Sequence, residues 1–395
     1  MVRPTILVSG AGIAGPTIAY WLLRRGFAPL LIERAPCFRE GGYMIDFWAA
    51  GFDVAERMGL IPTLREVGYS INRVAFVSEE GRPRSALGRK VLKRALGDRF
   101  LSIQRGDLAN AIYRKIERDA ETIFGDSIVE IREGAGGVEV SFERGSPRTV
   151  DLVVGADGLN SAVRSAAFGP REKFERYLGY YAASFLTSGY PKRDEHTYLS
   201  YAAPGCQISR YALRDDRTAF FFVFESEKPL KNSVHDLVAQ KQILRNRFSR
   251  EAWIEWPEIE RRLEDCNDLY FDAVSQMILP CWSQERISLV GDAAYCPSLL
   301  AGEGAAFAMV GAYILAAELE RAAGDYVRAF AEYERRFRQF IERKQKQARG
   351  FAASFAPKTA LGLFVRDQLI RLTAIPMLGD FLMRSFFGDR FVLPY

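Results

Sequence analysis

The chain has 395 residues, with 54 Lys and Arg against 49 Asp and Glu and a formal net charge of +5. Its hydrophobic content of 48% and charged content of 26% are typical of globular proteins and exclude collagenous, low-complexity and disordered classes. The length predicts two or three domains, since about 100–200 residues per domain is usual. Basic residues are scattered among acidic ones, which argues against nucleic-acid binding.

The cysteines and histidines exclude further classes of site. Five cysteines, odd in number and widely separated, favour reduced thiols over a disulfide framework. Two histidines are too few for the sequence to predict a metal-ligand cluster. No signal-peptide pattern opens the chain, and the longest charge-free apolar helix candidate, 305–317, is shorter than the roughly 20 residues that span a bilayer. Together these features predict a soluble cytoplasmic protein without a metal.

The stretch from Ile6 to Glu33 has the order of a strand, a glycine-rich turn and a helix. Three glycines at the G-x-G-x-x-G spacing follow the apolar strand Ile6–Val8 and allow backbone N–H groups to approach a pyrophosphate. A second apolar strand, Leu30–Ile32, leads into Glu33, at the position where an acidic side chain accepts hydrogen bonds from ribose hydroxyls. The pattern predicts a dinucleotide site and leaves NAD and FAD open. The glycines are Gly10, Gly12 and Gly15.

The next segments carry two candidate site elements. Paired glycines in Arg39–Asp46 predict a loop that passes close to a ligand, with an ordinary turn as an equal alternative. The segment 73–83 predicts a hairpin. The apolar strand Phe100–Ile103 then leads into a helical pattern, so Arg105 stands at a strand-to-helix junction. Taken alone, that arginine has the ordinary interpretation of a solvated surface residue.

Two more glycine clusters follow, and they differ in what comes after them. The cluster 134–137 lies between two alternating strand patterns and predicts a hairpin turn, because no helix follows to bind a phosphate. The buried strand Leu152–Val154 instead ends in Gly155–Gly158, where two glycines bracket Asp157 at the carboxyl end of the strand.

A third strand end is predicted near residue 290, where an apolar strand runs into Gly291 and Asp292. A loop follows, then Gly302-Glu303-Gly304 and an Ala-rich helix over 305–319. A glycine pair at a helix N-terminus offers free N–H groups and about half a positive charge. The pattern therefore predicts an end that can stabilise an anion.

The remaining regions predict packing elements. Residues 171–276 are β-rich and aromatic, which predicts an antiparallel sheet in a second domain. One of its strands has phenylalanines on both faces, for which core packing is the ordinary outcome and an apolar ligand cavity the alternative. The helix over 326–347 has one apolar face. The phenylalanines of the strand in 171–276 are Phe220, Phe221, Phe222 and Phe224.

For the tail 361–395, a cap over the site or a core helix pair is favoured over membrane-surface attachment.

The three strand ends, at 10–15, 155–158 and 291–292, form with Arg105 a combination more specific than any single motif. It resembles the single-component FAD-dependent aromatic hydroxylases, the family of para-hydroxybenzoate hydroxylase and the tetracycline-inactivating monooxygenases. The resemblance implies an FAD that is reduced by NAD(P)H, reacts with O2 to give a hydroperoxide and hydroxylates an aromatic or hydrophobic small molecule. The alternatives are an FAD-dependent dehydrogenase, reductase or cyclase without oxygen insertion, and a non-catalytic flavin-binding protein.

The same resemblance implies roles for individual residues. Glu33 and the glycine turn hold the ADP half of FAD, and Arg105 contacts the phosphate and ribityl region. Asp157 belongs to a motif that serves both FAD and the pyridine nucleotide. Asp292 binds the ribityl chain or the pyrophosphate region.

Two further elements take roles from the resemblance. The segment Gly302–Gly304 places a helix N-terminus beside the N1/O2 edge of the flavin, and Arg39 and Asp46 lie near NADPH and FAD. The implied cofactor-binding residues are Gly10, Gly12, Ile13, Ala14, Gly15, Glu33, Arg34, Arg39, Asp46, Arg105, Asp157, Gly291, Asp292, Gly302, Gly304 and Ala305.

The chain departs from the family pattern in the last motif. Tyr295 stands where many members have histidine, and Glu303 stands where glutamine is common. Pro297 comes early, so that Ser298 and Leu299 occupy the places of prolines whose carbonyls line the oxygen pocket in relatives. A backbone carbonyl from Leu299 can serve the same purpose, so hydroxylation is retained as the leading expectation.

The implied fold class is α/β, with a Rossmann-like FAD-binding domain, an inserted antiparallel β-sheet substrate domain and C-terminal helices. The predicted segments are 1–72, 99–170 and 277–325 for the FAD-binding domain, 73–98 for a substrate-domain hairpin, 171–276 for the substrate domain and 326–395 for the C-terminal helices.

Overall fold

The computed structural model describes residues 3–38, 43–97, 99–230, 236–251, 253–375, 379 and 391–395. The predicted site residue Arg39 and most of the tail beyond 375 lie outside the described residues. Within the described part of the chain, no helix combines the length and the apolar character needed to cross a bilayer.

The strands and helices alternate along the first third of the chain, and strands dominate the middle. The strands are β1 Thr5–Ser9, β2 Ala28–Glu33, β3 Met44–Trp48, β4 Arg73–Val77, β5 Pro83–Gly88, β6 Phe100–Gln104, β7 Glu121–Phe124, β8 Ile128–Gly134, β9 Gly137–Phe142, β10 Arg148–Val150, β11 Leu152–Gly155, β12 Glu175–Ser188, β13 Thr197–Ala203, β14 Cys206–Ala212, β15 Arg217–Glu225, β16 Tyr270–Met277, β17 Ser283–Gln284 and β18 Ile287–Leu289. The helices are α1 Ala14–Arg24, α2 Ala49–Arg57, α3 Ile61–Val67, α4 Arg89–Leu96, α5 Arg105–Tyr113, α6 Ala162–Ala167, α7 Leu237–Phe248, α8 Trp256–Asp265, α9 Asp292–Tyr295, α10 Gly304–Arg321, α11 Tyr326–Phe355 and α12 Ala360–Leu372.

A six-stranded sheet has the order β17-β18-β11-β1-β2-β7, and all its pairs are parallel except β17 with β18. From β1 the chain builds β2 and β7 on one side, then returns to place β11 and β18 on the other. This reversal of strand order creates the crevice at which doubly wound sheets bind nucleotides. The predicted motifs after β1, β11 and β18 therefore meet at one edge of the sheet.

A seven-stranded sheet, of order β16-β12-β15-β14-β13-β4-β5, confirms the antiparallel sheet predicted for the middle of the chain. The hairpin β4-β5 joins it through a parallel pair with β13. Phe220, Phe222 and Phe224 are buried on the face that packs against α7 and α8. Phe221 lies on the other face, beside Tyr180 and Leu299. The prediction that this strand places aromatic residues on both faces is confirmed.

The C-terminal helices complete the core. Helix α10 is buried along almost its whole length and packs against α1, α2 and α11. Helix α11 is longer than predicted, reaching Phe355. Helix α12 packs against β5 and β13. The predicted α/β class with a parallel and an antiparallel sheet is confirmed, and the domain boundaries given above stay a prediction.

One local prediction was wrong. The end of the segment Arg39–Asp46, expected as a loop or turn, belongs to β3, which pairs antiparallel with β6 and places Asp46 opposite Ser102. Within β3, Ile45 and Phe47 are buried while Asp46 between them is exposed. This alternation is the pattern of a half-buried strand, and the paired glycines before it obscured it. The glycine cluster 134–137 forms the predicted hairpin turn, between β8 and β9.

Candidate functional site

The glycine turn after β1 is packed too tightly for side chains. Gly10 has φ 101°, and a Cβ added there would lie 2.7 Å from the carbonyl oxygen of Ala156 after β11. A Cβ added to Gly15 would lie 1.8 Å from the carbonyl oxygen of Gly10. Ile13 and Ala14 are buried behind the turn. The first motif, the glycine turn after β1, thus abuts the second motif, which contains Asp157 after β11; the third motif is Gly291-Asp292 after β18. The first motif exposes backbone rather than side chains, as close approach to a phosphate requires.

Glu33 ends β2 beside this turn. Its Oε2 accepts a hydrogen bond from the N–H of Ala11 at 2.8 Å, and its Oε1 accepts one from the N–H of Ala35 at 2.9 Å. Each carboxylate oxygen can accept a second hydrogen bond, so the side chain stays available to a ribose hydroxyl. Arg34, the next residue, is exposed.

Asp157 anchors the second motif. Its Oδ2 accepts hydrogen bonds from Ser9 Oγ at 3.1 Å and from the N–H of Ala162 at 2.8 Å. Among the described residues its other oxygen, Oδ1, is buried without a hydrogen-bond partner. Burial raises the pKa of Asp157, against the hydrogen bonds it receives. A buried acceptor left open in this way is suited to a ligand donor.

Arg164 joins the second and third motifs, a role that the sequence reasoning missed. The side chain is fully buried, and it donates to the carbonyl oxygens of Leu159 at 2.5 Å and Ala293 at 3.1 Å. Its signal in the sequence was a charged residue in an otherwise apolar helical turn, α6. A buried arginine on two carbonyls fixes the spacing between the motifs.

Arg105 and Asp292 bring the third motif to the first. Nη2 of Arg105 would lie 3.3 Å from a Cβ added to Gly12. Burial raises the pKa of Asp292, and the positive charge of Arg105 opposes that rise. A Cβ added to Gly304 would lie 3.6 Å from Asp292 Oδ1. The arginine therefore lies over the glycine turn, and the aspartate lies at the N-terminus of α10.

The start of α10 is open to an acceptor. The side chain of Glu303, at the N-cap position, makes no capping hydrogen bond to α10. Gly302, two residues before α10, has the left-handed conformation φ 69°. A Cβ added there would lie 3.7 Å from the indole ring of Trp48 in β3. Ala305, in the first turn, is half-buried. Gly291 packs closely, since a Cβ there would lie 3.2 Å from that of Ala14. An uncapped helix start carries about half a positive charge for an anion.

Of the residues that depart from the family pattern, Tyr295 lies in the core. A Cβ added to Gly311 of α10 would lie 1.8 Å from its hydroxyl oxygen, so the phenol occupies the space that this glycine leaves. Tyr333 of α11 donates to it at 3.2 Å. The side chain fills the gap between two helices, so the replacement of histidine by Tyr295 concerns packing there.

The loop after α9 is held by two glutamines. Gln276 donates to the carbonyl oxygen of Pro297 at 2.7 Å, and Gln345 donates to that of Cys296 at 3.2 Å. Ser298 follows with φ 140°, a backbone conformation that L-residues rarely adopt, and its Oγ accepts the N–H of Leu300 at 3.3 Å. Such strain persists only where surrounding contacts impose it, and it is common at functional sites.

The strand β3 connects this site to the seven-stranded sheet. Ser102 donates its hydroxyl hydrogen to the carboxylate of Asp46, and the side chain of Asp46 is exposed. Desolvation of the carboxyl group by the surrounding protein nevertheless raises the pKa of Asp46, as in a residue that lines a cleft. The rings of Tyr43 and Tyr270 meet at 4.8 Å between centroids, and Tyr43 accepts the N–H of Arg105 at 3.1 Å through its carbonyl. Burial raises the pKa of Tyr43 to about 12. The sequence reasoning missed both tyrosines.

Comparison with known proteins decides the family. Residues 3–343 match the family model described as FAD binding domain. The chain belongs to this family of FAD-dependent monooxygenases. A flavin-dependent monooxygenase of Legionella longbeachae serogroup 1 is 38% identical over 370 residues, which cover 92% of each chain. The crystal structure of tetracycline destructase Tet(55) is similar with a TM-score of 0.84 and 31% identity, over 100% of this chain and 99% of that one.

A more distant neighbour shares the fold. HpxO of Klebsiella pneumoniae, in complex with FAD and uric acid, has a TM-score of 0.78 at 21% identity and covers 98% of this chain and 96% of its own. The activity follows from the family match and from the relatives above 30% identity: the present chain is an oxidoreductase that hydroxylates its substrate with FAD as cofactor. The open Oδ1 of Asp157 and the glycine turn, whose glycines leave the backbone accessible, fit such a cofactor.

Proposed function

We propose that this monooxygenase takes its reducing equivalents from NAD(P)H and hydroxylates an aromatic or hydrophobic small molecule with O2. The observation that carries the proposal is the contact between the loop after Asp292 and the seven-stranded sheet. Leu299 and Leu300 of that loop pack in one cluster with Tyr180 and Val223 of the sheet. The third motif therefore adjoins an apolar, aromatic surface, which is the lining expected of a pocket for an apolar ligand.

The residues proposed to hold FAD are those around the crevice of the six-stranded sheet. When bound, FAD accepts hydride and supplies the activation of O2. The glycine turn and Arg105 face the pyrophosphate, Glu33 receives ribose hydroxyls, and Asp157 accepts a donor through its open Oδ1. The proposed set is Gly10, Gly12, Ile13, Ala14, Gly15, Glu33, Arg34, Arg39, Asp46, Arg105, Asp157, Gly291, Asp292, Gly302, Gly304 and Ala305.

The remaining work of the protein is electrostatic and steric. The N-terminus of α10 favours the negative charge that reduction brings to the flavin, without a mobile cation. The aromatic sheet face excludes water from the reacting centre. NAD(P)H docks transiently in this proposal, since the one G-x-G-x-x-G turn of the chain is assigned to FAD.

The structural neighbour Tet(55) suggests a first substrate. Tet(55) is a tetracycline destructase at 31% identity, so tetracycline is the first compound to test. Tyr43, Asp46 and Tyr270 supply hydroxyl and carboxylate groups at the junction of the sheets, which would orient such a polycyclic, hydroxylated substrate.

All five cysteines are free, which supports the assignment to the reducing cytoplasm.

The test is turnover under labelled O2. The purified protein, reconstituted with FAD, is mixed with NADH or NADPH and with tetracycline or a panel of aromatic compounds. We expect flavin absorbance, substrate-stimulated oxidation of the nicotinamide and one labelled oxygen atom in the product. Turnover without label in the product would replace this proposal with a dehydrogenase, reductase or cyclase activity.

A further inference from the structure

Lys344 of α11 is a buried cation close to the start of α10. Its side chain is 4% exposed, and its Nζ lies 2.9 Å from Oε1 of Glu303, whose side chain is 17% exposed. Nζ also lies 5.6 Å from the ring centroid of Phe340. Removing two charges from water offsets most of their mutual attraction, so a buried pair of this kind contributes little net stability. Stability alone is therefore a weak reason for a buried ion pair at this place.

The surroundings of Glu303 indicate another role for its ion pair with Lys344. It is the residue before Gly304 and forms the N-cap position of α10, without a capping hydrogen bond from its own side chain among the described contacts. Asp292 Oδ1 lies 3.6 Å from the position of a Cβ on Gly304. Two carboxyl groups thus flank a helix end whose partial positive charge is needed for an anion. Lys344 places a positive charge against one of these two carboxyl groups, that of Glu303.

We propose that Lys344 is a positioning residue that sets the redox potential of the bound flavin by neutralising Glu303. This inference rests on the proposed placement of FAD at the N-terminus of α10. Reduction of FAD by two electrons and one proton leaves the flavin with one additional negative charge. A carboxylate at the helix start disfavours that change, and the positive charge of an ammonium group beside it offsets this effect. The pair lets this chain carry a glutamate where a neutral side chain would otherwise be needed.

The experiment measures the two-electron midpoint potential of the FAD-loaded protein by equilibration with a reference dye. We expect Lys344→Met to lower the equilibrium constant for reduction by about tenfold, which for a two-electron couple is about 30 mV. Glu303→Gln is expected to raise the potential, because Lys344 then remains without its anionic partner. The double variant Glu303→Gln with Lys344→Met is expected to return close to the unmodified protein.

The control is Lys346→Met, which removes an exposed lysine two residues further along α11 and is expected to leave the potential unchanged. A potential that stays unchanged in Lys344→Met would overturn the inference, and so would a double variant that matches Lys344→Met alone. Where Lys344→Met does not fold, the Glu303→Gln potential decides, since no upward shift there also overturns it.

The flavin absorbance of each variant separates this inference from the proposed function. A protein that binds no FAD after reconstitution contradicts both. A protein that binds FAD and oxidises NAD(P)H with substrate, but shows no shift among the variants, contradicts the role of Lys344 alone.

Discussion

The six-stranded sheet and the seven-stranded sheet contribute to the site in different ways. In the six-stranded sheet the groups proposed to bind FAD follow the strand ends within a few residues, and glycines leave the backbone open. In the seven-stranded sheet the surface facing the third motif comes from alternate residues of separate strands, such as Tyr180 and Val223. In the proposed function, the six-stranded sheet presents backbone and charge to FAD, while the seven-stranded sheet presents side-chain shape to the substrate. Changes in the first should therefore affect FAD binding, and changes in the second should affect stability or substrate.

The largest expected effect is that of Gly15→Ala. The new Cβ would lie 1.8 Å from the carbonyl oxygen of Gly10, and a backbone atom cannot move aside cheaply. We expect destabilisation of about 3 kcal/mol and loss of FAD from the purified protein. Flavin absorbance and thermal melting check this. Gly26→Ala is the control, since that site has φ 83° but no atom within 4 Å, and FAD should be retained there. Normal flavin content in Gly15→Ala would contradict the packing described.

Arg210→Met is expected to destabilise the seven-stranded sheet and to leave the six-stranded sheet unchanged. Arg210 is 1% exposed and donates through Nε to Glu255 at 2.8 Å. Removing one partner of a buried pair leaves the other charge uncompensated, so we expect a loss of about 3 kcal/mol in the free energy of unfolding. The FAD affinity of the folded protein should not change. Arg261→Met, at an exposed ion pair with Glu258, should leave the melting temperature as it is. Loss of FAD in Arg210→Met would show that the two sheets are not independent.

Glu33→Ala sharpens the contribution of the first sheet. The carboxylate accepts the N–H groups of Ala11 and Ala35, and it is proposed to receive ribose hydroxyls. We expect FAD affinity to fall by about 1–3 kcal/mol for each charge-assisted hydrogen bond lost. Titration of the apoprotein with FAD measures it. Glu121→Ala, at the amino end of β7, is the control that should bind FAD normally. Unchanged affinity in Glu33→Ala would move the ribose contact elsewhere.

The smallest expected effect distinguishes two aspartates. Asp292 lies at the start of α10 close to Gly304, while Asp325 is exposed and accepts the N–H of Arg328 at 3.0 Å at the start of α11. We expect Asp292→Ala to weaken FAD retention or reduction by about 1.5 kcal/mol. Asp325→Ala should remove a helix cap worth about 1 kcal/mol of stability and leave the flavin unaffected. Equal effects on FAD would mean that the motif Gly291-Asp292 has been misinterpreted.

The structure also explains why one prediction failed and why some partners were not found. The strand β3 was hidden because a glycine pair, a strong turn signal, preceded five residues with the alternation of a strand. Tyr43 and Tyr270 lie on separate segments and meet only when the two sheets pack together. Tyr295 looked like a change in the site, but Gly311 makes it a packing residue.

The sequence by itself determined the three strand ends, the glycine turn and the position of Glu33 at the end of β2. It also determined the helix over 305–319 and the aromatic sheet. Each of these features depends on residues close together in the chain. Spacing of glycines and the period of apolar residues are local properties that backbone geometry translates directly into structure. Only the tertiary structure decided that Arg105 lies over Gly12, that Arg164 links Leu159 to Ala293, and that Lys344 pairs with Glu303 from 41 residues away. These pairings depend on how helices and sheets pack, and side chains distant in sequence leave no local pattern that records which of them will meet.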